Sequence, residues 1–192
     1  VRAELIGGIV YMASPLTLPH ATNHPPLSTV LFVFESRTPG VETGDNCTIL
    51  LGDEGEPQPD LFLRILPAYG GQSRDEGEYV AGAPELVAEI AHSSRAIDLH
   101  GKKDDYTRNG VIEYVVLLVA ERQLRWFDLR AGTEFAADAQ GVFRSRTFPG
   151  LWIDSRALVA RDAAALLATL NTGLATPEHS AFVAQLSARR RP

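Results

Sequence analysis

The sequence has a single cysteine, Cys47, so it can form no internal disulfide and no zinc site built from several thiolates. It is also short of positive charge: 18 Lys+Arg stand against 24 Asp+Glu, a formal net charge of −6. A protein that coats nucleic acid without specificity is normally basic, so any such contact here has to come from a local site. No long apolar run is present. The longest, Val115 to Ala120, is far too short to span a membrane, which takes about 20 residues. The stretch VRAELIGGIVY lacks the layout of a signal peptide. Together with the lone cysteine, this makes a cytoplasmic location the expectation. No Ser-His-Asp or nucleophile-elbow arrangement is visible. The YGG at Tyr69 to Gly71 lacks the lysine and helix of a phosphate-cradling loop.

What is present suffices for a folded domain: 192 residues, 45% of them hydrophobic and 22% charged. Glu4 to Ala13 alternates around Gly7-Gly8 and reads as a strand or tight hairpin. A helix is expected from about Pro26 to Arg37, with Leu27, Val30, Leu31 and Phe34 on one face. Cys47–Leu51 and Leu61–Ile65 read as strands, and Leu66 to Ala83 as a long polar loop with at most a small strand at Tyr79-Val80. Leu86–Ile90 is a strand, Ala96–Asn109 a helix stopped by Gly110, and Val111–Val119 a central strand. Leu124–Leu129 is a half-buried strand and Glu134–Phe148 hairpin material. Helices follow at Ala157–Leu170 and from Pro177 to about Ala188, with a frayed ARRRP tail. The order is mixed α+β.

Within the strand of APELVAEIAHSS sits Glu89. A buried carboxylate must be paired, bind a metal or give up its charge. Alternation puts Asp60 on one face with Phe62 and Arg64, and Glu89 on one face with Val87. Neighbouring strands could then bring the two acids together, with a hard cation such as Mg²⁺ between them. On the next helix Leu99, Lys102, Lys103 and Tyr106 share a face, and the two lysines leave it about 100° apart, so only one of them reaches the acids. Plainer roles fit the same residues: Asp60 as a turn residue after Pro59, Glu89 in solvent or paired with Arg95, and both lysines lying along the surface.

QPDLFLRI, GAPELVAEIAHSS and DLHGKKDDYTRNGVIEYVVL, in that order, resemble the Uma-two family of restriction-endonuclease-like proteins in the PD-(D/E)XK nuclease superfamily. The likeness runs from ELIGGIVYMASP to about FPGLWID. It implies a restriction-endonuclease-like mixed central sheet flanked by helices, with a nuclease core over residues 1–155 and a C-terminal helical extension over 156–192 packed on the same domain. It further implies a metal-dependent phosphodiesterase acting on nucleic acid, DNA ahead of RNA, with Mg²⁺ (or Mn²⁺) as cofactor. Asp60 and Glu89 match the family's acids and the backbone carbonyl of Ile90 would complete the metal shell. The superfamily's Glu-x-Lys would place its lysine at Ala91. Lys102, four residues before Tyr106, matches the family's relocated lysine instead. The rival expectations are a non-catalytic interaction domain that keeps the fold, and a homodimeric scaffold. His20 and Glu4 stay open between site and structural roles. Ser93 and Ser94 read as caps, and Glu113 and Tyr114 as residues fixing the helix–strand junction.

Overall fold

The computed structural model describes residues 3–12, 15–92 and 94–190. The expected strand end at Ala13, the cap at Ser93 and the end of the ARRRP tail lie outside the described residues. A six-stranded mixed sheet forms the middle of the molecule. From edge to edge it runs β11 (Thr133–Glu134), β10 (Gln123–Asp128), β9 (Glu113–Leu118), β8 (Leu86–Ala91), β5 (Leu61–Ile65) and β3 (Val41–Asp45). Within this sheet, among the described residues, only β8 and β9 pair in parallel, and a helical crossover joins them. β9, the most apolar strand of the sequence, lies in the interior of the sheet, buried at every position from Glu113 to Leu118.

Period-two alternation divides the core between the two faces of the sheet. Leu61, Leu63, Leu86, Ala88, Ile90, Val115 and Leu117 face α1 (Leu18–Ser36) and the C-terminal helices α3 (Ser155–Ala160), α4 (Ala163–Leu174) and α5 (Pro177–Arg189). Phe62, Val87, Tyr114, Val116 and Leu118 face the opposite layer. That layer holds α2 (Lys103–Asn109) and a small sheet of β4 (Ile49–Leu50), β7 (Tyr79–Ala81) and β6 (Arg74–Glu76). Two hairpins complete the chain: β1 (Ala3–Ile6) with β2 (Ile9–Met12), and β12 (Val142–Arg144) with β13 (Trp152–Asp154). Gly7 and Gly8, at φ 56° and 77°, supply the left-handed conformations that a two-residue turn between β1 and β2 needs.

Four local expectations are corrected. α1 begins at Leu18, not near Pro26, because Thr17 caps it and Pro19 fits its first turn. Pro25 and Pro26 lie inside the helix and leave the carbonyls of Ala21 and Thr22 without their usual amide partners. β3 was not expected, since Val41 and Thr43 stand among Glu42, Gly44 and Asp45, which strands disfavour; pairing along β5 makes it a strand. In residues 66–83 the expected small strand is present as β7, but the rest is not plain loop: it holds a 3₁₀ turn (Pro67–Tyr69) and β6, which pairs with β7 as a hairpin. The helix expected over 157–170 is two helices. Arg161 at φ 58° ends α3, and Asp162 caps α4 by accepting the Ala165 amide.

Glu113 is buried and collects four donors: Trp126 Nε1, Ser145 Oγ and the amides of Arg146 and Thr147, all within 2.9 Å. It therefore ties the loop before β13 to the sheet rather than fixing a helix junction. Tyr114 does link strand to helix, donating its hydroxyl to the Asp98 carbonyl at 3.1 Å.

Candidate active site

Asp60 immediately precedes β5, and Glu89 lies near the end of β8. The two strands run antiparallel with Leu61 opposite Ala88, so the start of one lies beside the end of the other. The acids are tied together through each other's backbone. Asp60 Oδ2 accepts the Ile90 amide at 2.7 Å, and the Asp60 amide reaches Glu89 Oε2 at 3.4 Å. Glu89 stands on the α2 side of the sheet, where Tyr106 reaches it, while Asp60, in the bend before β5, meets His20 of α1.

The crossover supplies a cation. It opens with a π-helical turn, Ile97–Lys102, before α2. Such turns add a residue per turn and recur at functional sites. Lys102 Nζ lies 2.9 Å from Glu89 Oε1 and 3.0 Å from Glu4 Oε1. Tyr106, one turn on, donates its hydroxyl to the same Glu89 oxygen at 3.1 Å. Lys103 instead lies over the Phe127 ring, 4.3 Å from its centre, so Lys102 is the lysine that reaches Glu89. Arg95 pairs with Glu121 and not with Glu89.

Three further side chains converge here. His20, on the first turn of α1, places Nε2 3.0 Å from Asp60 Oδ1. Glu4, on the N-terminal hairpin, accepts the Gln58 amide at 2.7 Å and shares Lys102, so the hairpin clamps the segment leading to Asp60. Asp98 was missed in the sequence. It lies four residues before Lys102 on the same turn, 3.9 Å from the ammonium, and that i, i+4 spacing was the available signal. Its carboxylate accepts the Ser94 hydroxyl. All these groups line one cavity of about 230 Å³.

Burial is deep: Asp60 is 7% exposed, Glu89 3%, Lys102 6% and Asp98 1%. Burial works to raise the Asp60 carboxyl, but the hydrogen bonds from His20 and the Ile90 amide and the charge of Lys102 prevail and hold it below its ordinary value. For Glu89 burial wins. Although Lys102 opposes it, the nearby acids add to the rise and the group lies well above the carboxylate range. Burial likewise lifts Asp98 to about 6, against the pull of Lys102 and Ser94. Lys102 is itself penalised by burial, yet Glu89, Glu4 and Asp98 hold it above the ordinary lysine value.

Glu4, Glu89 and Asp98 thus surround the Lys102 ammonium, and Asp60 adds a fourth carboxylate to the same cavity. Among the described residues no three His, Cys, Asp or Glu side chains form a ready metal cluster. A Mg²⁺ site commonly takes only one or two protein carboxylates and keeps its waters. The paired hard-oxygen donors and the local excess of negative charge fit such an ion.

A family model described as "Uma2: Putative restriction endonuclease" matches residues 1–158. The chain belongs to the Uma2 family. Among solved structures, it is similar to "a putative nuclease belonging to DUF820" from Anabaena variabilis. The two share 14% sequence identity and a TM-score of 0.63, over 82% of this chain and 89% of that one. At that identity the likeness shows a shared fold. No curated protein matches.

Proposed function

We propose that this Uma2 chain is a divalent-cation-dependent phosphodiesterase acting on nucleic acid, DNA ahead of RNA. The observation that carries the reading is the buried juxtaposition of Asp60 and Glu89 at paired strand ends, with Lys102 on Glu89. The family's description as a restriction endonuclease supports the substrate class.

Asp60, Glu89 and the Ile90 carbonyl would hold Mg²⁺ or Mn²⁺. When bound, the ion supplies a Lewis acid that makes a water more acidic and neutralises phosphate charge. Asp60 is kept ionised by His20 and fixed by the Ile90 amide, which leaves its remaining lone pairs free for a ligand. Lys102, the charged donor on Glu89, orients the attacking water and stabilises the phosphate as negative charge grows. His20 stands at the cavity wall and holds Asp60 in its rotamer through Nε2. The acidic total makes the local cation indispensable for drawing in a polyanion.

The test is cleavage of plasmid DNA and of single-stranded DNA and RNA by the full chain, with Mg²⁺, with Mn²⁺ and with chelator. Metal-dependent cleavage by wild type, lost in Asp60→Asn and in Glu89→Gln, supports the reading. Cleavage that survives either substitution or the chelator counts against it.

A second reading has one observation in its favour. Ile9, Val10 and Met12, on the outer strand of the N-terminal hairpin, are 58–64% exposed. An apolar outer strand without charged residues invites pairing with another copy. On that reading the domain is a self-associating scaffold that keeps the fold. Analytical ultracentrifugation of wild type and Val10→Lys distinguishes a homodimer held by this strand from a monomer.

A further inference from the structure

Three of the four site carboxylates surround a single side chain. Lys102 Nζ touches Glu89 at 2.9 Å and Glu4 at 3.0 Å, and stops 3.9 Å from Asp98 Oδ1. That Asp98 oxygen is buried and has no hydrogen-bond partner. An ammonium has three protons to give, so the geometry offers it one more acceptor than it reaches in full. The Asp98 carboxylate is well anchored. Its other oxygen takes the Ser94 hydroxyl, and the Tyr114 hydroxyl grips its backbone carbonyl. The π-helical turn brings Asp98 and Lys102 onto the same side of the crossover.

We infer that Lys102 is an exchangeable counter-ion. Its ammonium rests on Glu89 until a divalent cation takes that carboxylate, and then passes to Glu4 and Asp98. The inference rests on the cation site proposed above. A unit charge and a double charge on one carboxylate would lie about 4 Å apart, and they repel strongly even at an effective dielectric of about 20. The ammonium must therefore retreat when the ion binds Glu89. Asp98 Oδ1 is the prepared destination. Closing 3.9 Å to an ordinary hydrogen bond takes a shift of about 1 Å, within the reach of side-chain rotation. Glu89 keeps the Tyr106 hydroxyl as a donor throughout. Asp98 and Glu4 are then positioning residues that act through Lys102.

The rival account makes Asp98 a plain negative charge that attracts the ion directly. A double-mutant cycle separates the two. The affinity of the full chain for Mn²⁺ is measured by calorimetry in wild type, Asp98→Asn, Lys102→Met and the double variant. With handover, Asp98→Asn weakens Mn²⁺ binding about tenfold in wild type and less than about threefold once Lys102 is gone, while Lys102→Met alone binds more tightly. An equal loss in both backgrounds overturns the handover and leaves the cation site standing. Absence of Mn²⁺ binding in all four proteins overturns both.

Should Lys102→Met fail to fold, side-chain nitrogen NMR of wild type and Asp98→Asn gives an independent reading. Saturating Mg²⁺ should move the Lys102 ammonium resonance in wild type, and move it less in Asp98→Asn. A Lys102 resonance that stays in place at saturating Mg²⁺ overturns the exchange.

Discussion

Lys102 and Glu89 are partners, but removing one is not equivalent to removing the other. Among the described residues Lys102 is the sole ammonium facing Glu4, Glu89 and Asp98, so its loss removes their shared counter-charge in a buried pocket. Loss of the Glu89 charge leaves Lys102 still paired with Glu4. Breaking a buried pair by deleting the needed partner costs about 3–5 kcal/mol, whereas neutralising one acid of several should cost about 1 kcal/mol. Lys102→Ala is therefore expected to destabilise the metal-free protein far more than Glu89→Gln, as measured by urea unfolding with chelator. Equal losses would mean that the pocket is not held by this charge balance. At this scale much of the constellation was legible. Period-two alternation put Asp60 and Glu89 on matching faces, and helical spacing offered both lysines. What spacing could not settle was which lysine turns inward, since that depends on the π-helical turn that sets the phase of the crossover. The i, i+4 spacing to Lys102 offered Asp98 as a pair partner, but its burial in the pocket follows from the packing of the crossover.

Elements were legible where their own periodicity dominated and obscure where tertiary contacts decide. β8, β9 and β10 carry strong patterns. β3 exists because β5 offers it an edge, and the first turns of α1 exist because Thr17 caps them ahead of two prolines that read as a start. The docking of α5 is a tertiary matter too, and it makes stability depend on pH. His179, in its first turn, is buried against Phe34, with Nε2 3.0 Å from Thr38 Oγ1. Burial, helped by the charge of Arg37, lowers its pKa below the ordinary histidine value despite a backbone hydrogen bond at Leu174. The unfolded chain therefore binds the proton more readily than the folded one. The contribution of neutral His179 is fully present above about pH 6.5 and is lost as the pH falls toward the lower folded value. Asp98, raised to about 6, works in the opposite sense over part of that range, so only a difference between variants isolates the histidine. Melting temperatures measured from about pH 7.5 down to about pH 5.5 should fall less steeply for His179→Gln than for wild type. Parallel curves would show that α5 docking does not depend on the neutral ring.

Over the whole molecule a formal charge of −6 coexists with a pocket that holds four carboxylates and one ammonium, and the two respond differently to added cations. Spread over the surface, the excess charge is screened by any salt, with a Debye length of about 8 Å at physiological ionic strength. Concentrated in a buried site, it rewards an ion that fits, and that ion stabilises the folded state by mass action. At a concentration about 100 times the dissociation constant the gain is about 2.7 kcal/mol, which for a chain of this size is a rise of about 5–10 °C in melting temperature. Mg²⁺ or Mn²⁺ should produce such a rise in wild type, while sodium chloride of matched ionic strength should produce little. Asp60→Asn should remove the divalent-specific part and leave the salt response unchanged, because it alters one buried ligand and barely alters the surface field. Differential scanning fluorimetry with the four combinations of protein and salt gives the answer. If sodium and magnesium raise the melting temperature alike in both proteins, the cation effect belongs to the surface charge and Asp60 has no part in holding an ion.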